Sequence, residues 1–66
     1  MTTLVTIRKQ DNSTETFNYE LFVFPGKDEN ENIAVAVSEI KQDNPDAVQI
    51  TFVSEQTGKV LADVPA

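Results

Sequence analysis

Only one stretch of this chain carries a helical period. Between Asp28 and Asn44, the apolar residues Ile33, Ala36, Val37 and Ile40 recur at spacings of three and four, which puts them on one stripe of a helix. The other regular apolar residues alternate. Val5 and Ile7, then Phe17, Tyr19, Leu21 and Val23, then Val48, Ile50 and Phe52 each mark one face of a strand. One helical stripe covers one face of one sheet. The expected fold is therefore α+β, a two-layer ββαββ arrangement with one helix packed on a mainly antiparallel four-stranded sheet. With 66 residues the chain has material for one core, so residues 1–66 are read as a single domain.

The boundaries follow from turn chemistry. Strands are expected over Leu4–Lys9, Glu15–Phe24, Ala47–Val53 and Lys59–Val64. Residues 10–14 hold Asp, Asn and Ser, whose side chains bond nearby backbone, so the first two strands should form a hairpin. Pro25-Gly26 stops the second strand. Asp28 with Glu31 three residues on reads as a capping box. Asn44-Pro45 ends the helix, with Asn44 expected in the left-handed region. In the Glu55–Gly58 turn, Gly58 is expected to supply a positive φ. The resulting core should contain Ile7, Phe17, Ile33, Val37, Ile40, Ile50 and Phe52.

There is no cysteine and no histidine. Disulfides and thiolate metal sites are thereby excluded, and the commonest general base and metal ligand are missing. The remaining nucleophiles, Ser13, Ser38, Ser54 and the threonines, have no basic partner at a recognisable spacing. No catalytic residue and no cofactor are assigned, and the chain is expected not to be an enzyme. Asp28, Asn30, Asn32 and Glu39 imitate part of a calcium-binding loop. However, Ile33 occupies the position that needs Gly, and no helix precedes the segment, so these residues are read as a helix start and not as a metal site.

The net charge is -6, from 11 acidic and 5 basic residues. Such a surface repels nucleic-acid phosphates and anionic membranes, and it suits basic or nucleic-acid-binding proteins. Met1-Thr2-Thr3 lacks the basic start of a signal peptide, and cysteine is absent, so a cytoplasmic location is expected. The acids are concentrated. Asp28, Glu29, Glu31, Glu39, Asp43 and Asp46 stand against Lys41 alone between residues 28 and 46. They form one candidate partner-binding surface. Phe22 and Phe24 form another, because they fall out of phase with the inward residues of the second strand. They are expected either on an outer face with Leu4, Val53 and Leu61, where they would favour a partner or a homodimer, or turned into the core by a β-bulge near Leu21.

In element order and size the chain resembles small β-grasp modules, such as ubiquitin-like domains and the immunoglobulin-binding domains of bacterial surface proteins. In size and acidity it also resembles small phage-encoded inhibitors of nucleases and defence complexes. The expected function is that of a small acidic, non-enzymatic protein-binding module, a regulator or inhibitor whose carboxylates imitate nucleic-acid phosphates. The competing expectation is a structural or homo-oligomeric accessory protein whose acidity keeps it in solution.

Overall fold

The computed structural model describes all residues, Met1–Ala66. The elements follow in the order β1 (Thr2–Lys9), β2 (Thr14–Glu20), α1 (Glu29–Asp43), β3 (Ala47–Ser54) and β4 (Val60–Pro65). The strands form one sheet in the order β2-β1-β3-β4, and every pairing is antiparallel. Because β1 opposes both β2 and β3, those two strands run the same way with β1 between them. The helix is the crossover that such a connection requires.

Register decides the core. Val5 lies opposite Phe17 on one side and Phe52 on the other, and Ile7 lies opposite Ile50. These side chains share the face covered by Ile33, Ala36 and Ile40 of α1, and the cluster is completed by Leu21 and Ala47. Val5, Ile7, Ile50 and Phe52 lose all solvent contact. Phe17 and Val37, expected in the core, are half-buried and pack at its margin. For Phe17 the cause is position, since β2 is an edge strand with no neighbour beyond it. Tyr19 also sits at this margin, with its ring edge-on to Phe52 at 6.5 Å.

The turns match their residues in part. Asn12 takes φ 69° in the β1–β2 connection and Gly58 takes φ 71° before β4. Asn and Gly are the residues that reach this region at least cost. Asp28 caps the helix, its side chain accepting the Glu31 amide at 2.8 Å. The return bond of a capping box is not made, because the Glu31 carboxylate turns toward Lys27 at 3.9 Å. Asn44 is not left-handed but lies at φ -133°. A residue before proline is pushed toward extended backbone. Asn44 closes the helix with its own backbone and side-chain amides, both donating to the Ile40 carbonyl.

The second strand is shorter than its alternation implies. It ends at Glu20, and Leu21 is buried. Val23, expected to face inward, is 63% exposed. Leu21 still pairs with Met1 in the β1–β2 register, its N–H donating to the Met1 carbonyl and its carbonyl accepting from the Met1 amine. Beyond Leu21 the segment leaves the sheet, and Phe24 N–H bonds to the side-chain oxygen of Asn32 on α1. No bulge forms near Leu21. The sheet's irregularities lie between β1 and β3 at Arg8/Lys9 and between β3 and β4 at Phe52/Val53. The second of these turns Leu61 toward the core cluster.

Candidate functional site

The expected outer patch does not assemble. Across the solvent face of the sheet, Leu4, Val53 and Val60 make a short apolar row through paired positions. The rest of that face is polar, with Thr6 against Thr16 and with Gln49 and Thr51 both donating to Asp63. Those two donors hold the Asp63 carboxyl below the usual range. Leu61 lies elsewhere, against the core. Phe22 and Phe24 have also left this face.

The two phenylalanines stack on each other beside the helix. Their ring centroids are 6.0 Å apart with planes 26° from parallel, and Phe22 is 71% exposed. Tyr19, Asn32, Val35 and Glu39 line the same small cleft. Asn32 fixes this geometry. Its side chain is buried, although it belongs to a helix turn rich in acids, and its acceptor holds the Phe24 backbone at 3.1 Å. The sequence marked Asn32 only as part of a loop pattern. Its actual role needed the fold, because the amide it binds comes from another element.

The six acids do not act as one surface. Asp28 is occupied as the helix cap, and Glu31 stands near Lys27. Asp46 lies 3.9 Å from Lys9, whose main partner is Glu15 at 3.0 Å. The Glu15 hydrogen bond, with Asp46 adding charge, raises the Lys9 pKa above its ordinary value. Glu29 and Asp43 have no cationic partner, and neither has Glu39. Glu39 instead accepts a hydrogen bond from the Tyr19 hydroxyl. Burial and this carboxylate together push the Tyr19 pKa up to about 12.

Glu39 joins two features of the surface. It lines the cleft beside the stacked phenylalanines, and it also lines a groove of about 400 Å³ between β2 and the C-terminal half of α1. Phe17, Tyr19, Ile40, Gln42, Asp43 and Asn44 complete that groove. The structure thus brings Glu39 and Asp43 together with Phe22 and Phe24 along one side of the molecule. Asp28, Glu29 and Glu31 lie at the other end of the helix. No three acidic side chains converge as they would around a metal ion. No helix is long and apolar enough to cross a membrane. No protein-family model matches the chain, and no curated protein or solved structure matches it at a significant level.

Proposed function

We propose that this chain is a non-enzymatic protein-binding module that presents Glu39, Asp43 and the Phe22–Phe24 stack to a basic protein. One observation carries the reading. Glu39 and Asp43 have no cation of their own, and Asp43 lies in the last turn of α1, where the helix dipole is negative. A carboxylate at that end opposes folding by a small amount. A cationic partner would turn that local cost into attraction. The adjacent aromatic pair supplies apolar area for the same contact, since exposed aromatic side chains are frequent anchors of interfaces.

A small regulator or inhibitor of a nucleic-acid-binding protein is the most concrete form of this proposal. In that form the carboxylates stand in for phosphates in a basic cleft. The accessory-protein reading is less well supported, because acids that only favoured solubility would be as effective at the helix start, where the dipole welcomes them.

The test is a paired capture experiment from cells that produce the protein. Wild type and the Glu39→Gln, Asp43→Asn variant are used as bait, with quantitative mass spectrometry of what each retains. The proposal expects a basic protein held by wild type and lost from the variant. Identical retention by both baits contradicts it.

A further inference from the structure

The two edges of the sheet are not equivalent. On β4 the Gln49↔Pro65 pair is of the type without mutual hydrogen bonds, because the flanking Ala66 amide bonds to the Val48 carbonyl. The nitrogen of Pro65 therefore faces the open side, where it offers no donor. A shift in register near Leu61 interrupts the same edge. Proline and bulges are the usual means of blocking strand addition.

The β2 edge has neither device. Its register with β1 is unbroken from Thr14 to Glu20. The bonds from Lys9 N–H to Ser13 and from Leu21 N–H to Met1 fix the alternation. Residues 15, 17 and 19 therefore turn their backbone groups toward β1, and Thr14, Thr16, Asn18 and Glu20 turn theirs outward. No hydrogen bond in the structure uses those outward groups. Four consecutive rungs of a regular ladder stand open beside the β2–α1 groove.

We propose that the β2 edge takes an extended, cationic segment of a partner protein as a fifth strand. Main-chain pairing to Thr14, Thr16, Asn18 and Glu20 would supply affinity, as in other cases of strand addition. Charge selects the occupant. Helix-side residues of the added strand would meet Phe17, Tyr19, Glu39 and Asp43. Lysine or arginine fits there, with its stem over the rings and its charge at the carboxylates. Outer-face residues would lie beside Thr14, Thr16 and Asn18, which suits threonine or serine. A second copy of this chain fits poorly. It would bring its own Glu15, Glu39 and Asp43 to the same seam, and Lys9 is already engaged with Glu15 and Asp46. The choice of a cation rests on the acidic contact proposed above. The use of the edge does not.

The probe is a synthetic peptide alternating lysine and threonine, about eight residues long and blocked at both ends, titrated by calorimetry with amide shifts recorded by NMR. Wild type should bind it with shifts centred on β2. Asn18→Pro removes an outward donor and no rung of the β1–β2 ladder, so it should fold and bind roughly tenfold or more weakly. The same peptide methylated on its backbone amides keeps its charge and should also lose roughly tenfold or more. This second arm stands if Asn18→Pro fails to fold. Equal binding of parent and methylated peptide overturns the edge as the site, as does no binding of the parent. Loss of binding in the Glu39→Gln, Asp43→Asn amide variant with full binding in Asn18→Pro would leave the acidic contact standing and remove the edge. Loss in Asn18→Pro with full binding in the amide variant would keep the edge and remove the acidic contact. A wild-type dimer in sedimentation that Asn18→Pro converts to monomer would assign the edge to a second copy and overturn the proposal.

Discussion

The hydroxyl of Tyr19 on β2 donates a hydrogen bond to the carboxylate of Glu39 on α1, which ties the open edge of the sheet to the acidic side of the helix. The phenol is held neutral by burial first and by Glu39 second, with its pKa pushed up to about 12. In the unfolded chain a tyrosine ionises near 10. Between these values the unfolded state loses the proton before the folded state does. The contribution is thus complete below about pH 10 and fades as pH rises toward 12. Tyr19 is the single tyrosine, so phenolate absorbance reports it alone. The expected midpoint is near 12 in wild type. In Glu39→Gln it should fall but stay above that of a free tyrosine, because burial persists. A wild-type midpoint near 10 would mean that the contact is not made.

Helix capping gives opposite signs at the two ends of α1. Asp28→Ala removes the acceptor of the Glu31 amide and should cost about 0.5–2 kcal/mol. Asp43→Asn removes a negative charge from the negative end of the dipole, where no ion pair holds it. It should stabilise by about 0.3–1 kcal/mol. Urea denaturation of the two variants checks both signs.

Truncation in the core should be severe. Ile40 is 3% exposed and Phe52 fully buried, at the centre of the helix–sheet contact. Replacing either with Ala should cost about 2–5 kcal/mol. For a domain of this size that is a large part of the total, so the variants should be substantially unfolded at 37 °C. An unchanged melting temperature for Ile40→Ala would contradict the packing of α1 on the sheet.

The sequence disclosed those features that depend on neighbours in the chain. The stripe of Ile33, Ala36 and Ile40 and the alternation of Val5 with Ile7 state directly which side faces inward. Asp28 announces the helix start because capping is a local bond. The end of β2 could not be read in the same way. Phe17, Tyr19, Leu21 and Val23 keep perfect alternation, yet the chain leaves the sheet after the Leu21–Met1 pair, and the Phe24 amide bonds to Asn32 instead. That acceptor belongs to another element. The location of Phe22 and Phe24 beside the helix follows from that exchange, so it was illegible too. The acids were visible as a group, but their division was not. Lys9 reaches Asp46 only in the fold, whereas Lys27 and Glu31 stand four residues apart, and this leaves Glu39 and Asp43 as the acids of the groove.

The most direct test of the central claim is the salt dependence of partner binding in wild type and in the Glu39→Gln, Asp43→Asn variant. The captured partner would be titrated by calorimetry at low and high ionic strength. Exposed charges attract over about 8 Å at physiological salt and less as salt rises. Wild-type affinity should therefore fall steeply with added salt, and the variant should stay folded and bind weakly at every salt concentration. Equal affinity of the two proteins, or wild-type binding indifferent to salt, would contradict the claim that Glu39 and Asp43 form the contact.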